Sequence, residues 1–117
     1  MDDHDFSLSV RKLLLERQGY RVITATTARE GVVKFRQSPV ALVILDYYLP
    51  DGTGEVVARE LKNLKPHVPI LMLSGAVDLP EDMAEVDLVL SKVESPPVFL
   101  EAVAELLTGK QPLEAAG

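Results

Sequence analysis

ALVILDYYLPDGTG, residues 41–54, runs five apolar residues in a row before an aspartate, two tyrosines and a proline–glycine turn. An unbroken apolar run of strand length belongs to a strand covered on both faces, which is the habit of parallel sheets. The stretch around it repeats the theme. Pro69-Ile-Leu-Met-Leu73 is a second such run, with a proline tolerated at its first position, and Leu88-Val-Leu90 is a short third one. Arg21-Val-Ile-Thr-Ala25 is short and β-branched and reads as one more strand.

Helical patterns lie between them. Phe6, Val10, Leu13, Leu14 and Arg17 fall at helical spacing, so the stripe of Phe, Val and Leu is read as core, and Gly19 ends the run. Thr27-Ala-Arg-Glu30 fits a capping box, with Ala28, Val32 and Phe35 on one face and Pro39 as the stop. Val57, Leu61 and Leu64 repeat helically after the turn. Phe99, Leu100, Val103, Leu106 and Leu107 line a last helix entered through Pro96-Pro97. Between them, 80–85 has room for two helical turns with acid near its start, which suits the helix dipole. Helix alternating with strand predicts an α/β fold with a parallel sheet, a domain over 1–108 and a patternless tail over 109–117.

Composition narrows the function. The chain has 117 residues, a net charge of −6, no cysteine and 47% hydrophobic residues, as one ordinary globular domain does. The acidic balance argues against nucleic acid as a direct ligand, and the cations Arg11, Lys12, Arg17, Arg21, Arg29, Lys34 and Arg36 are scattered. No apolar run is long enough for a membrane helix. A cytoplasmic protein that meets other proteins is the expectation.

In open parallel sheets, function sits beyond the carboxyl ends of the strands. The residues there are Asp46, Ser74 and Lys92, and the pair Asp2-Asp3 stands where a strand before the first helix would end. Taken singly, each is ordinary turn or surface chemistry. Together they describe phosphoryl transfer to a carboxylate: Asp46 as nucleophile, Lys92 and the Ser74 hydroxyl on the phosphoryl oxygens. Carboxylates crowded at 4 Å repel by about 4 kcal/mol per pair at an effective dielectric near 20, so such a site calls for a cation, and Mg²⁺ with oxygen ligands fits. His4 and His67 have no ligand partners at metal spacing and read as surface residues. Tyr47 and Tyr48 read as packing aromatics beside the site.

Asp2-Asp3, Leu42–Asp46 with Leu49–Gly54 after it, Leu73-Ser-Gly-Ala76 and Leu90-Ser-Lys92 resemble the receiver domain of two-component response regulators, from Asp2 to about Leu107. The resemblance implies a flavodoxin-like, doubly wound parallel sheet of strand order 2-1-3-4-5 with helices on both faces. It implies phosphorylation of Asp46 by a histidine kinase or phosphotransfer protein, and a conformational signal to a downstream protein or separate effector, with room for a homodimer. Asp3, Asp46 and the Tyr48 backbone carbonyl would bind Mg²⁺ directly, and Asp2 through water. Self-phosphorylation and self-dephosphorylation are the only catalysis implied.

The family's first, central strand is absent before Asp2, which reads as a late start that leaves the acidic pair without its anchor. Movement of Arg21–Ala25 into the gap, to pair with Ala41–Leu45, is the expected repair. Val93 follows Lys92 in place of the family's proline, so a trans bond is expected there. Val89 stands where an aromatic switch residue is common, and the stretch from Ser74 to Lys92 is short for a full fourth helix. Two other readings compete. A degenerate receiver serving as a phosphorylation-independent interaction module fits the missing strand. A haloacid dehalogenase-type phosphatase fits the Asp, Ser, Lys order, but that family wants a second aspartate where Tyr48 stands.

Overall fold

A computed structural model describes residues 1–2, 5–75 and 85–108, the Asp5 side chain excepted. In chain order the elements are α1 (Asp5–Arg17), α2 (Ala28–Gln37), β1 (Val43–Asp46), β2 (Tyr48–Leu49), β3 (Gly52–Thr53), α3 (Gly54–Leu64), β4 (Ile70–Ser74), β5 (Leu88–Ser91) and α4 (Pro96–Thr108). The strands β1, β4 and β5 pair in parallel in that order, and β2 and β3 form a small antiparallel hairpin.

The alternation of side chains along each strand sorts the core into two layers. Val43, Leu45, Ile70 and Met72 face α2 and α3, where Val32, Phe35, Val57 and Leu61 meet them. Leu71 and Leu73, with Leu42 and Ile44 beside them, face α1 and α4 through Leu15, Phe99 and Val103. All five residues of β4 are buried, as the apolar run predicts for a strand with neighbours and helices on both sides. The fold is therefore the doubly wound, flavodoxin-like arrangement expected.

Three expectations change. Arg21–Ala25 forms no ladder with β1. Instead Met1 and Asp2 lie between them: the Met1 amine donates to the Ile44 carbonyl (2.6 Å), the Asp46 amide donates to the Met1 carbonyl (2.9 Å), and the Asp2 amide donates to the Ala25 carbonyl (3.1 Å). Two residues thus hold the place of the central strand, and the segment at 21–25 stays on its outer side. Backbone groups paired by those two residues give up no hydrogen bonds, so the inward move of 21–25 has no driving force at that level.

The second change is the face of α1. Phe6, Val10 and Leu13 are exposed, whereas Leu15 is buried and Ser7, Leu8, Arg11 and Leu14 turn partly inward with it. Periodicity placed Phe6, Val10 and Leu13 in the core stripe with Leu14, and packing against Phe99 and Val103 on α4 turns Leu15 inward instead. The third change concerns the end of α2. Thr27 caps Glu30 (3.1 Å) as the capping box requires, but Glu30 returns to the Thr26 amide (3.0 Å), and Asp51 supplies acceptors for the Ala28 and Arg29 amides (2.8 and 3.0 Å).

Pro96 and Pro97 open α4, where a missing N–H is harmless. The Lys92–Val93 bond is trans, as expected. The helical turns read at 80–85 and the tail from 109 lie outside the described residues, apart from Glu85.

Candidate functional site

At the carboxyl end of the sheet, β1, β4 and β5 end side by side on Asp46, Ser74 and Ser91, with Leu73 opposite Asp46 and Ser91 opposite Ser74. Asp46 and Ser74 are buried, only 3% and 4% exposed. The Lys92 amide donates to the Ser74 carbonyl (3.0 Å), which fixes the backbone from which the lysine side chain reaches across the sheet. Its ammonium donates to Asp46 Oδ2 at 2.6 Å, a charge-assisted bond between side chains 46 residues apart. The structure therefore brings Asp46 and Lys92 into contact and places Ser74 at the end of the strand between them.

The loop after Asp46 is folded back tightly. The Gly54 amide donates to the Tyr47 carbonyl at 2.5 Å, and a Cβ at Gly54 would stand 2.8 Å from the Asp46 carbonyl oxygen. Glycine is needed there because the backbone of the phosphoacceptor candidate passes so close. The Tyr48 amide lies 3.4 Å from Asp46 Oδ1. Tyr47 packs on the α2–α3 core, while Tyr48 is exposed, the two rings meeting edge to face at 4.7 Å.

Asp2 sits on the other flank, 2% exposed, through its place beside β1. Arg11, on the inward face of α1, forms an ion pair with Asp2 through Nη1 and Oδ2. Burial disfavours the charge on the Met1 amine and outweighs Asp2 and Asp46, which favour it; with Arg11 acting in the same sense as burial, its pKa falls from 8.0 to about 6. Asp3 and His4 lie outside the described residues. Among the described residues no three acidic or imidazole side chains gather as a metal-binding group.

Arg11 is the site residue that the sequence reading missed, having been counted among scattered cations. Its signal was positional: it shares the helical face of Ser7, Leu14 and Leu15, and a charged side chain on a buried face calls for a partner of opposite charge. The two described carboxylates are each held by a cation, Asp2 by Arg11 and Asp46 by Lys92, so their charge is compensated by the chain itself.

A family model for the response regulator receiver domain matches residues 1–104. The chain belongs to this family. Among solved structures, a CheY-like receiver domain protein from Methanospirillum hungatei JF-1 superposes with a TM-score of 0.88 at 30% identity, covering 99% of this chain and 94% of that one. The response regulator TrrA of Thermotoga maritima, solved with Mg²⁺ and BeF, gives a TM-score of 0.84 at 28% identity over 90% of this chain and 93% of that one. The transcriptional regulatory protein PhoP of Bacillus subtilis is 36% identical over 75 residues, 64% of this chain and 31% of that protein. The cell cycle regulator CtrA of Caulobacter vibrioides is 32% identical over 79 residues, 68% of this chain and 34% of that protein. This receiver spans about a third of the length of these curated relatives. No described helix is long and apolar enough to cross a membrane.

Proposed function

We propose that this receiver accepts a phosphoryl group on Asp46 from a histidine kinase or a phosphotransfer protein and signals by a change of conformation. The Asp46–Lys92 contact at the shared strand end carries the reading. A carboxylate oxygen of Asp46 attacks phosphorus, the bond from phosphorus to the donor nitrogen breaks, and the leaving imidazole keeps the electron pair. Lys92, paired with Asp46 beforehand, offers its ammonium to one oxygen of the incoming, already anionic phosphoryl group, and Ser74 offers its hydroxyl to another. Burial strengthens both interactions relative to water.

Mg²⁺ fits the donor chemistry: Asp3, Asp46 and the Tyr48 carbonyl as direct oxygen donors, with the buried Asp2 acting through one of the waters that complete the shell. When bound, the ion would neutralise charge on the phosphoryl oxygens. The TrrA receiver, solved with Mg²⁺ and BeF, supports that assignment by analogy.

The approach to Lys92 suits a protein donor. A cleft lined by Phe6, Val10, Arg11, Leu90, Lys92 and Phe99 opens beside it, and Phe6, Val10 and Leu13 form an exposed apolar stripe along α1. The output is a partner protein or an effector, reached through contacts that the phosphoryl group makes near Ser74 and Lys92.

Incubation with acetyl phosphate and Mg²⁺, followed by intact mass measurement, tests the reading. Wild type gains one phosphoryl group and Asp46→Asn gains none. Equal gain by the variant would remove Asp46 from its role. No gain by a folded wild type would favour the interaction module.

A further inference from the structure

Among the described residues two cationic side chains enter the acidic site of this receiver, and only Lys92 is used by the proposed chemistry. Arg11 is the other. Its side chain is 17% exposed, and it pairs with a carboxylate that is itself 3% exposed. Arg11 also lines the cleft that exposes Lys92, so the guanidinium has a solvent-connected place to go when it leaves Asp2. The oxygen it holds, Oδ2 of Asp2, belongs to one of the two described carboxylates that a divalent cation would use.

We propose that Arg11 is a built-in counter-ion of the acidic site, and that a divalent metal binds by displacing its guanidinium from Asp2. The proposal rests on the assignment of Asp2 and Asp46 to metal binding. Three physical facts carry it. An unpaired buried carboxylate is strongly disfavoured, so the metal-free site needs a cation, and Arg11 supplies it. A guanidinium and a metal-held water compete for the same oxygen lone pairs, so guanidinium and metal weaken each other at Asp2. The guanidinium stays charged at any working pH, so the competition cannot be relieved by proton loss. Metal-free and metal-bound sites are then two charge-compensated states that exchange one cation for another.

The test is calorimetric titration of the full chain with Mg²⁺, and separately Mn²⁺, on wild type, Arg11→Met and Arg11→Lys, with melting curves in EDTA and in saturating Mg²⁺. Arg11→Met keeps the length of the side chain and removes its charge. It should bind Mg²⁺ tighter by about tenfold or more, because one opposed charge at contact distance is worth at least a decade of affinity. Its melting temperature should fall in EDTA and recover with Mg²⁺, by more than wild type gains. Arg11→Lys should lie between the two, since an ammonium lacks the planar fork that grips a carboxylate. It carries the comparison if Arg11→Met fails to fold without metal. Equal or weaker Mg²⁺ affinity in folded Arg11→Met, with metal bound by both proteins, would overturn the role of Arg11 and leave the metal site standing. No metal bound by any folded variant would remove the metal site and this proposal with it.

Discussion

The two sides of the sheet are built to different standards. From β1 to β5 the strands have continuous parallel ladders, and β4 is buried over its whole length between two helical layers. From β1 outward, two residues, Met1 and Asp2, hold the centre through three backbone hydrogen bonds, and the segment at 21–25 leaves Ile23 55% exposed. Asp46, Ser74 and Lys92 all stand on the complete side. Asp2 stands on the other and is tied down by Arg11 from α1. The residues proposed to accept the phosphoryl group are thus anchored in a packed core, while Asp2 is held by a few local contacts.

The largest expected contrast is in packing. Leu45→Ala, at a fully buried position between β1 and the α2–α3 layer, should destabilise by about 2–5 kcal/mol. Denaturant unfolding measures it, and a loss below about 1 kcal/mol would show that the complete side is loosely packed.

Next comes pH. With a free amine at Met1, the folded pKa lies near 6 against 8.0 ordinarily, because burial disfavours the charge. Between those values the unfolded chain holds a proton that the folded chain has shed, so stability rises as pH goes from 6 to 8. The gain is about 2–3 kcal/mol for a shift of this size. Comparing unfolding midpoints of the chain with those of its amine-acetylated form isolates it. Equal pH dependence in both forms would mean that the terminus is not buried in the sheet.

Much of this division was legible in the sequence. The apolar runs at 41–45 and 69–73 announce buried parallel strands, and the residues that end them form the candidate site. Arg21–Ala25 misled because β-branched composition reports a surface that fits a sheet, not a ladder that has formed. On α1, the stripe of Phe6, Val10, Leu13 and Leu14 was read as core, and tertiary contact buries Leu15 and leaves Phe6, Val10 and Leu13 exposed. The Arg11–Asp2 pair spans nine residues and the Asp51 contacts to α2 span 22 and 23, beyond what local spacing encodes.

A smaller effect sharpens the link between the two sides. Asp51, in the loop after Asp46, accepts from the Ala28 and Arg29 amides, and these bonds lower its pKa. A carboxylate lowered on folding stabilises the protein above the ordinary value of 3.8, and this is lost as pH falls through the folded pKa. Asp51→Ala should therefore lower the melting temperature at pH 7 and do so less at pH 3. An equal drop at both would assign its effect to the turn and not to the helix end. Smallest of all, Ile23→Ala on the incomplete side should change stability by no more than about 0.5 kcal/mol. A loss as large as that of Leu45→Ala would erase the contrast.

If the side from β1 to β5 carries a working phosphoacceptor, locating the acyl phosphate shows it most directly. After reaction with acetyl phosphate and Mg²⁺, borohydride reduction converts a phosphorylated aspartate to homoserine, which peptide mass spectrometry places in the chain. Homoserine at position 46 alone is the expected result. Homoserine at another carboxylate, or at none in a protein shown to be folded, would contradict it.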